Sequence, residues 1–153
     1  MDEGYCTVSK KLILAAVLCC SILPAVAQQP SVPLDQLLTR SEAVLRELDE
    51  GRSGPVWDEA SPLLRHSMPK NEFIEGIRRD RNDGRVVSRR WNAISRLSMP
   101  IGNTEFPPGQ YVSVVFVGLD QAGGPLKESV TFKSEGAENW EMTNYVINRA
   151  SDK

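Results

Sequence analysis

The sequence predicts an α+β fold in which three N-terminal helices are followed by a four-stranded antiparallel sheet. Apolar residues recur every three or four positions before Gly84 and every second position after it. The predicted strands are joined by short and medium connections, which favour an antiparallel meander. Runs of helix followed by runs of strand are typical of a domain whose helices cover one face of a sheet.

Three helices are predicted before the Asp83-Gly84 turn. The first ends before Gly51 and has an apolar stripe formed by Leu34, Leu37, Leu38, Val44, Leu45 and Leu48. The second is short, is disturbed by Pro62, and carries Trp57, Ala60, Leu63 and Leu64. The third begins near Pro69, ends in arginines, and turns inward Phe73, Ile74 and Ile77.

Four strands are predicted after Gly84, because the apolar period changes to two. They are the segments RVVSRRWNAISRLSM, YVSVVFVGL, KESVTFKSE and WEMTNYVIN. Pro108-Gly109 suits the two central positions of a type II turn between the first two strands. The pattern therefore predicts one sheet with consecutive strands as neighbours.

The first 27 residues are predicted to be a secretory signal peptide. Two lysines precede an apolar run of sixteen residues that ends at Ala27, and small residues at positions 25 and 27 predict cleavage before Gln28. The run is shorter than the roughly 20 residues of a membrane-spanning helix. We therefore expect a periplasmic or secreted protein, with a flexible lead-in at 28–33 and one domain at 34–150.

The residue inventory favours neither metal nor cofactor chemistry. All three cysteines lie in the predicted signal peptide, and His66 is the only histidine, which argues against histidine- or thiolate-based metal sites. The segment DRNDG lacks the downstream glutamate of a calcium-binding loop. The sequence has no nucleophile elbow, phosphate loop or dinucleotide fingerprint. We therefore predict no metal, no cofactor and no catalytic residue.

The segment RRDRNDGRVVSRRW, residues 78–91, contains six arginines in a chain of net charge −2. The segments on either side of residues 65–96 are acidic, so a basic centre can be neutralised by folding. Arg78, Arg79 and Arg81 are also placed where cations stabilise the C-terminal end of a helix. An exposed remainder would suit an anionic envelope component or an acidic protein partner, whereas export and the acidic overall balance argue against nucleic acid.

Strand alternation makes Arg89 a special case. Because side chains alternate along a strand, Arg90 is predicted to point outward. Arg89 is predicted to lie on the apolar face, with Val87, Trp91, Ala93, Leu97 and Met99. In the third strand, Glu128 shares its face with Val130 and Phe132. An inward guanidinium and an inward carboxylate are costly alone and tolerable together, so we predict that Arg89 and Glu128 are partners or line one cleft.

Three interpretations of that placement remain open. The two residues form a buried ion pair that fixes strand register, or they anchor a ligand, because an arginine fork suits a carboxylate or a phosphate. In the third interpretation, a β-bulge shifts the alternation and misplaces the arginine.

An ordered set of segments resembles a known family. It comprises LDEG (48–51), Trp57, RNDGRVVSRR (81–90), PPGQYVSVVF (107–116), Glu128 with Val130, Trp140, and Tyr145 followed by Val146-Ile147. The set resembles a group of exported bacterial proteins catalogued as domain of unknown function 4019, over about Leu34 to Ile147. The family's usual helix tryptophan is Phe73 here, and its usual Gly-Tyr is Asn144-Tyr145. The resemblance implies an exported protein and a curved-sheet layout similar to the cystatin and nuclear-transport-factor roll.

Function follows from these expectations only in outline, because that roll hosts both binders and enzymes. We expect an exported, non-catalytic binding or interaction module of the bacterial cell envelope, with an unknown protein or a small anionic ligand as its partner. The predicted binding residues are Arg89, Glu128, Trp91 and Tyr145, or alternatively an arginine-rich edge. A second hypothesis is an immunity or inhibitor protein against an exported toxin or hydrolase. A third, less favoured, is a small roll-fold enzyme that uses Asp49, Asp58 or His66.

Overall fold

The fold is α+β with one open antiparallel sheet, as the sequence predicts. The computed structural model describes residues 32–82, 85–104, 106–136 and 139–149. Its elements are α1 (Leu34–Asp49), α2 (Ser53–Asp58), α3 (Pro62–Ser67), α4 (Lys70–Asn82), β1 (Val86–Met99), β2 (Gly109–Asp120), β3 (Pro125–Ser134) and β4 (Trp140–Arg149). The strand order is β1-β2-β3-β4. The predicted signal peptide and most of the predicted lead-in lie outside the described residues.

The second predicted helix is in fact two helices, so four helices precede the sheet in the described part of the chain. Pro62 begins α3, where its missing amide hydrogen costs nothing. Ser61 caps this helix, and its hydroxyl accepts a hydrogen bond from the Leu64 amide at 3.2 Å. The Ser61 amide donates to the Met142 carbonyl of β4 at 2.8 Å. The proline therefore starts a helix at the sheet instead of disturbing one.

The buried core combines side chains of the helices with alternate side chains of the strands. Leu37 and Leu45 of α1 belong to the same buried cluster as Val114 and Phe116 of β2. Burial of each such side chain stabilises the fold by about 1.5–3 kcal/mol. Because side chains alternate along a strand, the odd-numbered residues of β2 lie on the opposite face. We call that face the outer face.

Two β-bulges in β1 change the face to which its residues belong. The register against β2 slips at Val87 and at Asn92, each of which is an extra residue relative to β2. The prediction of one continuous apolar face therefore fits only the residues between the two bulges and is wrong for the rest of β1. Of the β1 residues predicted for that face, only Arg89 and Trp91 pair with core-side residues of β2. Val87 is 60% exposed, and Leu97 turns to the outer face.

Two glycine-to-alanine substitutions test how closely β1 approaches β2. A Cβ at Gly118 would clash with the carbonyl oxygen of Ser88 in β1, whereas a Cβ at Gly76 in α4 would meet only the Arg79 side chain at 3.9 Å. We expect Gly118→Ala to lower the free energy of unfolding by about 1–3 kcal/mol, as other overpacked sites do. Gly76→Ala should raise it by about 0.5–1 kcal/mol, because alanine is the better helix former. Urea denaturation measures both, and equal effects of the two variants would contradict the close approach.

Candidate functional site

Arg89 and Glu128 are in contact, as strand alternation predicts. The Nε of Arg89 donates to Oε2 of Glu128 at 2.6 Å. The Glu128 side chain is fully buried, and the Arg89 side chain is 18% exposed. The two residues lie on β1 and β3 with β2 between them, and Arg89 is paired with Gly118 of that strand. Since glycine has no side chain, the arginine has room to reach across β2 to the carboxylate.

Arg81 and Tyr145 supply the other hydrogen bonds to Glu128. Nη2 of Arg81 donates to Oε1 of Glu128 at 2.6 Å, and the Tyr145 hydroxyl donates to the same oxygen at 2.7 Å. The Nε of Arg81 donates to the Tyr145 oxygen at 3.0 Å. Both oxygens of the buried carboxylate are therefore satisfied by charged or polarised donors.

Asp49 closes the cluster on its solvent side. Its carboxylate accepts from Nη1 of Arg81 at 2.6 Å and from Nη1 and Nη2 of Arg89 at 2.8 and 3.0 Å. The contact with Arg89 is a fork with two parallel hydrogen bonds, the strongest geometry for this pair. The Asp49 side chain is 35% exposed, the most of any acid or base in the cluster.

We name this cluster the arginine–carboxylate network; its members are Asp49, Arg81, Arg89, Glu128 and Tyr145. They come from α1, α4, β1, β3 and β4, so one hydrogen-bonded unit joins five elements. Two guanidinium groups face two carboxylates, and their formal charges cancel. A buried charge is tolerated only when it is paired and fully hydrogen-bonded, and the network meets that condition.

The outer face carries a second feature, an apolar groove of about 420 Å³. Its walls include Met68 just after α3, Leu97 of β1 and Phe106, which are 39%, 52% and 47% exposed. Its floor carries hydroxyl groups from all four strands, namely those of Ser95, Tyr111, Ser113, Thr131 and Thr143. The volume lies within the range of about 300–1,000 Å³ that is usual for ligand sites. We call this feature the outer groove.

Three contacts shape the outer groove. The Tyr111 hydroxyl donates to the Pro107 carbonyl at 2.8 Å, and the rings of Phe106 and Tyr111 meet edge to face with centroids 6.5 Å apart. The hydroxyls of Ser113 and Thr131 bond to each other at 2.8 Å. The aromatic wall is therefore held by its own contacts, while its Phe106 edge stays open to solvent.

The family model described as protein of unknown function (DUF4019) matches residues 40–145. The chain belongs to the DUF4019 family. No curated protein and no solved structure matches it. The matched range contains every member of the arginine–carboxylate network.

The structure separates the four binding residues that the sequence predicts for this DUF4019 protein. Arg89, Glu128 and Tyr145 are joined in the network, whereas Trp91 is 52% exposed at the edge of the sheet. Tyr145 lines a cavity of about 400 Å³ beside α4, and Arg89 lines a different depression near Leu126. The predicted partnership is present, but it forms a closed cluster and not an open cleft.

Sequence analysis missed Arg81 and the role of Asp49. Arg79 and Arg81 lie in the last turn of α4, as the helix-dipole argument predicts, whereas Arg78 lies before it; the side chains of Arg78 and Arg79 are exposed. Unlike the side chains of Arg78 and Arg79, that of Arg81 turns into the network, and only 12% of it is exposed. The family-like segments LDEG and RNDGRVVSRR contain both residues, but nothing in their spacing shows that α1 and α4 end beside each other.

The candidate catalytic residues of the third hypothesis lie apart from one another. Asp49 is held by two arginines, Asp58 pairs with Lys70 at 2.6 Å, and Nδ1 of His66 lies 2.6 Å from the Pro62 carbonyl oxygen. In the described ranges, no group of three or more histidine, cysteine, aspartate or glutamate residues is arranged to hold a metal ion. No helix in the same ranges is long and apolar enough to cross a membrane.

Electrostatics holds Asp49, Arg89 and Tyr145 each in one protonation state at neutral pH. Burial alone would raise the pKa of Asp49, but hydrogen bonds from Arg89 and Arg81 hold that pKa below its ordinary value. Burial and the Glu128 carboxylate raise the pKa of the Tyr145 phenol. Burial opposes the charged form of Arg89, yet its bonds to Asp49 and Glu128 raise its pKa. The phenol therefore keeps its proton and the guanidinium keeps its charge.

Neutralising the buried carboxylate should destabilise the fold strongly. Glu128→Gln keeps the shape of the side chain but leaves Arg81 and Arg89 without a buried counter-charge, which we expect to cost about 3–5 kcal/mol of unfolding free energy. The matched control is Asp58→Asn, which breaks the exposed pair with Lys70 and should cost at most about 1 kcal/mol. Urea unfolding of both variants is the measurement, and a loss below about 1 kcal/mol for Glu128→Gln would contradict a stabilising network.

Acid should weaken the fold through Asp49. The pKa of Asp49 is lower in the folded chain than in the unfolded chain, so its ionised form stabilises the fold at neutral pH. That contribution is lost as the pH falls below about 4 and through the folded pKa. We expect Asp49→Asn to be less stable than the wild type at pH 7 and to lose less stability between pH 5 and pH 2. The control is Glu42→Gln, at an exposed position on the same helix; parallel pH profiles for wild type and Asp49→Asn would refute this role.

Proposed function

We propose that this protein is an exported, non-catalytic binding module of the bacterial cell envelope, and that it binds a protein partner through the outer groove. The observation that carries the proposal is the convergence of Met68, Leu97 and Phe106, all exposed, around one groove. Large apolar side chains that are exposed together usually mark an interaction site. The predicted signal peptide supports the compartment.

The closed geometry of the network supports a surface site over an Arg89–Glu128 ligand anchor. All three nitrogens of the Arg89 guanidinium donate to protein carboxylates. Asp49 takes the place that a carboxylate or phosphate ligand would need at the arginine fork. Arg89, Glu128 and Tyr145 therefore hold the scaffold in this proposal. Trp91, exposed on β1, remains available to a partner.

The proposed layout is that of the cystatin and nuclear-transport-factor roll, with helices on the core side of a curved sheet. The shared burial of Leu37 and Leu45 with Val114 supports this arrangement. In such a layout the outer face of the sheet is left for binding. The separate positions of Asp49, Asp58 and His66 favour binding over the enzyme hypothesis.

Capture of a partner from envelope extract tests the proposal when it is compared between matched variants. The bait is the chain from Gln28, immobilised as wild type, as the groove double variant Met68→Ser/Phe106→Ser, and as the control Leu119→Ser. Leu119 is a similarly exposed apolar residue (43%) near the opposite end of β2. We expect a partner that the wild type and the control retain equally and that the groove variant binds about tenfold or more weakly, since apolar anchors in a groove dominate binding energy.

Two results would overturn the proposal. One is equal retention of every captured protein by the groove variant and the wild type; the other is no retained protein at all. Circular dichroism confirms that each bait is folded before the comparison. Identification of the groove-dependent partner as a toxin or hydrolase would specify the module as an immunity or inhibitor protein.

A further inference from the structure

The two edges of the sheet differ in how their backbone groups are satisfied. At β4, the Ser61 amide donates to the Met142 carbonyl, and Nη1 of Arg40 donates to the Trp140 carbonyl. At β1, the described residues include no strand on the side away from β2. An edge strand with free N–H and C=O groups is a template for another strand. The open edge is therefore the edge of β1.

The second half of β1 has the length and regularity that strand addition needs. From Ala93 to Met99 the strand pairs with β2 residue by residue, without a further bulge. This stretch of seven residues is longer than the usual strand of about 5–6 residues. The Asn92 bulge bounds it at one end, so an incoming segment has a defined place to start.

The exposed charges on β1 determine which kind of incoming segment can pair with its edge. Arg90 and Arg96 are exposed, as is Arg85 just before the strand, and no ion pair within the described ranges includes these three arginines. A second copy of this chain would bring further arginines to an edge that already carries unpaired ones, and like charges close together across a strand pair are destabilising. Arg96 lies on the core side of the edge and Arg90 on the outer side beyond the Asn92 bulge, so an acidic segment along this edge would meet a cation on either face and gain both attraction and faster association.

The apolar side chains of β1 connect the edge to the outer groove. Leu97 and Met99 belong to the regular stretch and also line the groove. Because alternate side chains of a strand point to the same face, every second side chain of an added strand would lie beside Leu97. Trp91 is also exposed on β1, but it lies on the core side of the sheet, away from this groove.

We infer that β1 binds an acidic, extended segment of a protein partner as a fifth strand of the sheet, with alternate apolar side chains of that segment over the outer groove. This inference rests on the proposed binding function and specifies its mode. Main-chain hydrogen bonds to the edge supply affinity, and the arginines together with the groove supply selectivity.

A synthetic peptide tests the mode of binding directly. The probe is a fluorescein-labelled peptide of four valine–glutamate repeats, titrated with the chain from Gln28 at low ionic strength and followed by fluorescence anisotropy. Two matched probes replace glutamate by lysine, or carry methyl groups on the backbone nitrogens. We expect saturable binding of the acidic probe, no binding of the lysine probe, and none of the methylated probe, which lacks amide hydrogens for the edge.

Charge reversal on β1 gives the matched protein variants. Arg90→Glu/Arg96→Glu should weaken binding of the acidic probe by about tenfold or more, and the effect should shrink in high salt because exposed charges are screened. Arg78→Glu is the control, since Arg78 is exposed on α4 and pairs locally with Glu75. Amide hydrogen exchange should slow at 93–99 in the complex and stay unchanged elsewhere in the sheet.

The outcomes separate this inference from the proposed function. Equal affinity for the acidic and lysine probes, binding of the methylated probe, or unchanged amide exchange in β1 would each overturn strand addition. Partner capture that depends on Met68 and Phe106 would then still stand. Conversely, the acidic probe could bind while the groove variant captures the partner as well as the wild type does. That result would support the edge of β1 as the binding element and refute a role for the groove.

Discussion

The buried carboxylate of Glu128 is the constraint on which the other elements depend. Its side chain is fully buried, and an uncompensated charge there would cost several kcal/mol. Three donors compensate it, and they come from α4, β1 and β4. Asp49 then balances the second guanidinium from the end of α1. A different register of β1, or a different end to α4, would leave at least one of these charges unpaired, so the network defines one arrangement of the chain.

Such a network contributes more to uniqueness than to net stability. Buried ion pairs are often no more stabilising than apolar residues of the same volume, and the leucine and valine core supplies the main favourable free energy. The network adds a free-energy cost to every alternative packing that would leave one of its buried charges unpaired. Because its own members satisfy it, the network leaves the guanidinium groups of Arg81 and Arg89 occupied, and we therefore propose binding at the outer face and at the edge of β1.

Sequence reasoning reached the Arg89–Glu128 contact because alternation in a strand is a strict geometric rule. The same rule gave wrong faces for Val87 and Leu97, since bulges at Val87 and Asn92 interrupt the period and no local signal marks them. The apolar pattern around Pro62 predicts one helix where there are two, because helices this short have too few turns to show a break. Arg81 resembled its neighbours Arg78 and Arg79, although the three point in different directions around one helix.

By itself, the sequence determined the α+β class, the order of its strands and the membership of the DUF4019 family, because hydrophobic period and segment order are local properties of the chain. Only the tertiary structure decided that Asp49 and Arg81 complete the network. It also decided that Met68, Leu97 and Phe106 surround one groove, and that, within the described ranges, groups from the helical region bond to β4 while no strand pairs with the far edge of β1. These features join residues tens of positions apart, and their proximity depends on how helices and strands meet, which no short-range pattern encodes.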